Sequence, residues 1–173
     1  MKKHFEEKHT VTKKLCTQFV YLTMYKSPMV IGILALCALL FVVGVFLVGV
    51  GSYGGITFEA FFLPIVMLPI LYFTLKRQAN ITYKKFLEKG AGHEPEQIIT
   101  VDEYISAYNP CTDSSREIEF SQIKHIYENK DIFVLITEAK LGIIITKCGF
   151  TSGDSEDFKN YLYENAKNAK VHK

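Results

Sequence analysis

Met29–Val50 reads MVIGILALCALLFVVGVFLVGV, 22 residues without a charge or a strongly hydrogen-bonding side chain. A helix rises about 1.5 Å per residue, so this run crosses a hydrocarbon core of about 30 Å with little to spare. A buried helix of a soluble protein would carry a polar outer face, and this run has none. The next apolar run, Ile56–Leu75, is nearly as long. Its Pro64 and Pro69 would be costly in a soluble helix but are tolerable in a membrane one. Between the runs lies Gly51-Ser52-Tyr53-Gly54-Gly55, so short and glycine-rich that the two helices must be antiparallel neighbours. Gly51 and Gly55 have small-xxx-small spacing but fall in this loop, where it carries no helix pairing.

Lysine and arginine set the orientation. The N-terminal flank carries Lys2, Lys3, Lys8, Lys13, Lys14 and Lys26, and the flank after the second run carries Lys76, Arg77, Lys84, Lys85 and Lys89. The connecting loop carries none, which predicts both termini on the cytoplasmic side. A 28-residue polar lead and an apolar run of 22 are both too long for a cleaved signal peptide. Lys76, Arg77, Lys84, Lys85 and Lys89 are candidate contacts for anionic lipid, each worth about 1 kcal/mol near the surface. The competing reading is that they only set topology. Glu59, the one acid in the apolar region, lies close enough to the outer interface to complement a positive helix terminus, which argues against a proton or cation relay.

The chain divides into a cytoplasmic amphipathic lead (1–27), a two-helix transmembrane hairpin with a helical extension (28–89), and a cytoplasmic domain (90–173). In the lead, Leu15, Phe19 and Leu22 form one helical stripe with Tyr21 and Tyr25 near headgroup level, a pattern that predicts an interfacial helix. Phe5 to Thr12 could form a strand that returns to the tail's sheet, both lying on one side of the membrane. Residues 1–89 hold 11 basic and 4 acidic side chains, a net +7, whereas residues 90–173 hold 9 and 14, a net −5. An acidic domain does not suit nucleic acid.

Past Gly92 the apolar period shortens from helical to alternating. Strands are predicted at Gln97–Val101, Tyr104–Tyr108, Arg116–Phe120, Ile123–Glu128, Ile132–Thr137 and Leu141–Lys147, separated by turn-rich segments. IFVLIT and LGIIIT are nearly continuous apolar runs, which predicts central strands covered on both faces. Ile123 and Ile126 are three apart, a spacing that fits a helical turn or a bulge as well as a strand. Connections this short predict an antiparallel meander. Ser152–Ala169 predicts a helix whose Phe158, Tyr161, Leu162 and Ala166 form a single stripe, with acids at its start and Lys167 and Lys170 at its end. The predicted fold is a transmembrane helical hairpin plus a small α+β domain, a bent antiparallel sheet closed by a C-terminal helix, which is a pleckstrin-homology-like (PH-like) arrangement. If this domain acts as an interaction module, residues 90–173 made alone should fold and capture a partner or lipid.

This order of segments, together with Ile118-Glu119-Phe120-Ser121-Gln122-Ile123-Lys124-His125-Ile126-Tyr127-Glu128, Asp131-Ile132-Phe133, Gly142-Ile143-Ile144-Ile145-Thr146-Lys147 and Gly149-Phe150, resembles the YcxB-like bacterial membrane proteins. The resemblance implies a protein of the bacterial cytoplasmic (inner) membrane with a PH-like cytoplasmic domain. It implies no catalytic residue.

Motifs for chemistry are scarce. Cys16, Cys37, Cys111 and Cys148 include no C-x-x-C pair and no zinc spacing, and the five histidines include no i, i+4 pair on a predicted helix. Cys148, His125 and Asp131 could be imagined as nucleophile, base and orienter, yet nothing in their spacing supports a triad. There is no phosphate-cradling glycine motif. No catalytic residue, cofactor or metal is therefore assigned, and the chain is not expected to be an enzyme. The expected function is a non-catalytic interaction or sensing module at the inner leaflet, binding a protein partner or anionic lipid. The alternative is a subunit or modulator of a membrane assembly acting through the spans, with homo-oligomers open in either case; a membrane-anchored enzyme ranks behind both.

Overall fold

The computed structural model describes residues 4–25, 27–90 and 92–172, the side chain of Lys89 excepted. Lys2, Lys3 and Lys26 of the basic flank therefore lie outside the described residues, as does the Lys89 side chain proposed for lipid contact. Strand β1 (Phe5–Thr10) leads into three helices, α1 (Lys13–Tyr25), α2 (Pro28–Gly49) and α3 (Gly55–Lys89). The rest of the chain is β2 (Glu96–Val101), β3 (Ile105–Asn109), β4 (Ser114–Ile118), a 3₁₀ turn at Phe120–Gln122, β5 (Ile123–Glu128), β6 (Ile132–Thr137), β7 (Gly142–Thr146), β8 (Phe150–Ser152), α4 (Ser155–Asn165) and β9 (Lys170–His172).

Helices α2 and α3 are each long and apolar enough to cross a membrane, which suggests membrane association. Only 17 % of either apolar window is buried against protein, so neither is the covered core helix of a soluble fold. Pro28 occupies the first turn of α2, where its missing N–H costs nothing. Helix α3 runs unbroken through Pro64 and Pro69 and ends at Gly90. The two helices meet through small groups. Val30, Cys37 and Gly44 are buried on α2, and Thr57, Ala60 and Pro64 on α3. A Cβ on Gly44 would sit 3.0 Å from the Phe61 ring and 3.3 Å from the Ala60 methyl. Gly44→Val is therefore expected to wedge the pair apart at a cost of about 1–3 kcal/mol. Thermal unfolding in detergent should show a lower midpoint for Gly44→Val and none of that loss for Gly32→Val, since a Cβ at Gly32 meets nothing within 4 Å.

The strands form two sheets, β4-β3-β2-β1-β8 and β7-β6-β5-β9. β1 pairs antiparallel with β2 from Phe5↔Val101 to Thr10↔Glu96, and its other edge takes β8. The three helices thus occupy the connection between two neighbouring strands of one sheet. The predicted returning strand is present, ending at Thr10 rather than Thr12. The expected single antiparallel sheet needs correction: the strands divide into two sheets, and β9 runs parallel to β5. That parallel pairing follows from α4, which carries the chain back before β9 begins.

The main core lies between the sheets and under α4, around Phe5, Ile99, Ile126, Phe133, Phe158 and Leu162. IFVLIT is covered on both faces as expected: Phe133 and Leu135 enter this core, while Ile132 and Val134 turn the other way. β7 is also covered on both faces, but it is an edge strand rather than a central one. The cover on the outer face is α1. Leu15, Phe19 and Leu22 pack against Tyr127, Ile132, Val134, Ile136 and Ile144, so the stripe predicted to face lipid is taken by sheet instead. Gly142 makes room for this, because a Cβ there would meet the Phe19 ring at 2.8 Å. Cys16 and Val20, about a third of a turn round α1, are buried where α1 runs beside α3.

Ile123 and Ile126 are both buried because the register shifts between Ile123 and His125, which selects the bulge among the readings of that segment. α4 is shorter than predicted. Asp154 caps it by accepting from the Glu156 N–H at 3.3 Å. Ser152 belongs to β8, and Lys167 and Lys170 lie beyond the helix end, so they do not complement its dipole.

Candidate functional site

The basic side chains proposed for lipid contact sit on the extension of α3 beyond its apolar run. Lys76, Arg77, Lys84 and Lys85 are all exposed, whereas Leu75 and Ala79 are buried. At about 100° per residue, Arg77 and Lys84 fall on the face opposite those buried residues. Lys76 lies over the Tyr72 ring, its Nζ 6.0 Å from the centroid, a snorkelling arrangement suited to a membrane boundary. Lys84 stands eight residues further along, about 12 Å by helix rise, beyond a physiological Debye length of about 8 Å. The extension therefore separates Lys76 and Arg77, at the end of the apolar run, from Lys84 and Lys85. Glu59 is exposed near the other end of α3.

Cys148, His125 and Asp131 are not brought together. Cys148 and Asp131 line one cleft of about 440 Å³, formed by the start of α1 and the turns after β5 and β7. His125 does not line it. Its Nδ1 lies 3.1 Å from Nε2 of His172 on β9, and His172 stacks on Tyr127 at 4.6 Å. Burial, then His172, Lys124 and Lys170, lower the His125 pKa, so β5–β9 pairing favours the neutral imidazole. Cys16 is buried in the protein, and burial pushes its thiol up to about 11. Among the described residues no three His, Cys, Asp or Glu side chains gather as a metal site would require.

A second cleft, of about 160 Å³, opens between the β3–β4 hairpin and the start of β7, with Phe86 of α3 on its wall. Arg116 is its one cation, beside Gln97, Asn109, Thr112 and Ser114. Thr112 and Ser114 already share a hydrogen bond of 2.7 Å, and the Asn109 side chain accepts from the Cys111 N–H at 2.9 Å.

Two polar networks, one buried and one half-buried, were not singled out from the sequence. In the first, Glu7 is 1 % exposed and accepts from the Thr146 N–H at 3.1 Å and from the Thr146 hydroxyl. His9 Nδ1 lies 2.9 Å from the same carboxylate. This network ties β1 to the end of β7, and a Cβ on Gly149 would collide with both Glu7 and Thr146. The readable signal was period 2: Phe5, Glu7 and His9 share the inward face of β1.

In the second network, Glu128 accepts from Lys147 at 2.7 Å, Lys159 at 3.0 Å and Tyr163 at 2.8 Å. Burial alone would push the Glu128 pKa up, but the hydrogen bonds from Lys147, Tyr163 and Lys159 outweigh it and hold the carboxyl at about 2. The contribution is therefore full above its ordinary value of 4.5 and is lost as pH falls from there toward 2. Glu128→Gln should remove about 3 kcal/mol near neutral pH. Denaturant unfolding at several pH values should show that the variant has lost most of the parent's acid dependence in that interval.

Residues 102–162 match the family model described as YcxB-like protein. The match runs from the β2–β3 turn to α4; β1, α1 and both long apolar helices lie outside it. No curated protein matches the chain. From Asp102 to Leu162, covering the β3–β4 hairpin, both turns of the Cys148 cleft and the Glu128 network except Tyr163, the chain is thus similar to the YcxB-like proteins, as the sequence motifs from Ile118 to Phe150 indicated.

Proposed function

We propose that the protein is a non-catalytic integral membrane protein of the bacterial inner membrane that holds a PH-like interaction domain against the cytoplasmic leaflet. One observation carries the reading: α1, α2 and α3 are inserted between β1 and β2, which are neighbours in one sheet. The hairpin and the sheet domain are then a single framework, and α1, packed on the outer face of the second sheet, fixes the domain's distance and rotation relative to the hairpin. A tether that served only for location would need no such packing. Two sheets over one core with α4 across an end support the PH-like reading, and the lysine and arginine bias supports the orientation. The domain offers partners the exposed edge of β4, a strand exposed from Ser114 to Glu117, and the cleft containing Arg116.

The test is crosslinking in native membranes from single positions followed by identification of the products. Crosslinks from Ser115 or Arg116 to a partner other than this chain are expected. Recovery of the chain alone would overturn the reading in favour of self-assembly, and crosslinks confined to positions on α2 and α3 would favour the modulator reading. Thiol labelling from either side checks orientation: Cys111 should react only from the cytoplasmic side, and Tyr53→Cys only from the other.

A further inference from the structure

The chain from residue 90 onward carries a net −5, yet two exposed lysines meet at a cleft between it and the start of α1. Lys14 from α1, Lys130 from the β5–β6 turn and Lys147 from the β7–β8 turn converge on the 440 Å³ cleft that also holds Cys148. Asp131 is the sole acid among its lining residues, and the Gln18 amide donates to that carboxylate at 2.8 Å. Lys147 is pinned by Glu128 and by the Phe133 ring, 4.6 Å from its Nζ. Lys14 and Lys130 are exposed and make no ion pair with any described residue. Lys147 is neutralised by Glu128, which leaves Lys14 and Lys130 as two unpaired cations brought to one cleft from separate segments, a repulsion that a bound anion would offset. The volume is in the range of small-molecule sites.

We propose that this cleft binds a soluble phosphate-bearing anion, with Lys14 and Lys130 as its principal contacts. Lysine, a compact charge on a flexible stem, suits a phosphoryl group that can be approached from several directions. The same chemistry could come from a lipid headgroup, but geometry favours the soluble source. α3 is unbroken, α1 runs beside its extension, and the cleft lies at the far end of the 13 residues of α1 from the first long apolar helix. That is about 20 Å, well beyond a Debye length of about 8 Å. The inference goes beyond the proposed function, since the cleft is the same whichever way the hairpin is oriented.

Cys148 serves as a built-in reporter and Cys111, exposed on the β3–β4 turn, as its reference. The full chain in neutral phosphatidylcholine nanodiscs is alkylated with N-ethylmaleimide with and without pyrophosphate, ionic strength being matched with chloride. Cys148 labelling should slow by about threefold when pyrophosphate reaches twice its dissociation constant, with Cys111 unchanged. Lys14→Gln with Lys130→Gln should abolish that protection, while Lys84→Gln with Lys85→Gln should keep it. Both pairs are exposed, so near-parental melting of each variant separates lost binding from lost folding. No selective protection, or protection that survives Lys14→Gln with Lys130→Gln, would overturn the proposal. Protection by anionic phosphatidylglycerol nanodiscs in place of pyrophosphate would overturn the soluble source and assign the cleft to headgroups.

Discussion

Residues 90–173 made alone are expected not to fold, contrary to what the sequence by itself predicts, and adding residues 4–25 through a flexible glycine-serine linker is expected to restore the fold; this is the largest effect expected of any change to the chain. β1 lies between β2 and β8, so its removal strips hydrogen-bond partners from both neighbours and opens the five-stranded sheet in its interior. It also removes Phe5, 3 % exposed, whose ring packs on Phe158 and Tyr161 at 5.7 and 5.5 Å. Loss of α1 uncovers Ile132, Val134 and Ile144 on the second sheet. Burying a side chain such as Phe5, Leu15 or Phe19 contributes about 1.5–3 kcal/mol each, so these few together rival the total stability of a small domain, about 5–15 kcal/mol. Amide dispersion in a proton–nitrogen NMR spectrum distinguishes the outcomes. A dispersed spectrum from residues 90–173 alone would show that β1 and α1 are accessories.

The second large effect is at α4. Phe158 is fully buried and meets three rings, Phe5 at 5.7 Å, Phe133 at 5.5 Å and Phe150 at 5.3 Å, which belong to both sheets and the strand that leads into the helix. Phe158→Ala leaves a void where those rings converge and should cost about 3–5 kcal/mol. Phe158→Leu keeps most of the volume and should lose about half as much or less. Chemical denaturation of the full chain in detergent, followed by near-ultraviolet dichroism of the tyrosines, gives both numbers. Equal losses for the two variants would mean that the ring contacts, and not the filled volume, hold α4 down.

Periodicity made the helices and most strands legible, because burial imposes it directly. Twenty-two apolar residues without a polar face have few alternatives, and Phe158, Leu162 and Ala166 could lie only on one face of a helix. Strands β5 and β6 match their predicted bounds, and β7 is one residue shorter at each end. Pairing across long separations was less legible. Nothing local to Leu15, Phe19 and Leu22 says whether lipid or a sheet covers them; the covering residues lie more than a hundred positions away. The same holds for Glu7 with Thr146, and for Lys14 with Lys130 and Lys147, whose convergence exists only once β1 and α1 take their places on the sheets. Short strands such as β8 and β9 have three residues each, too few for a pattern. The α3 lysines needed no fold to be found, being a charge run beside an apolar one.

The central claim is that the membrane hairpin is inserted within the sheet domain rather than hung from it, and amide hydrogen exchange of the full chain in lipid nanodiscs tests it most directly. The Val11 N–H donates to the Pro95 carbonyl at 2.9 Å, so the alternate amides of Glu7 and His9 also face β2, and the account predicts protection there within about tenfold of that at Ile99 and Val101 on β2. Exchange of the β1 amides at the rate of free chain, with β2 still protected, would contradict it.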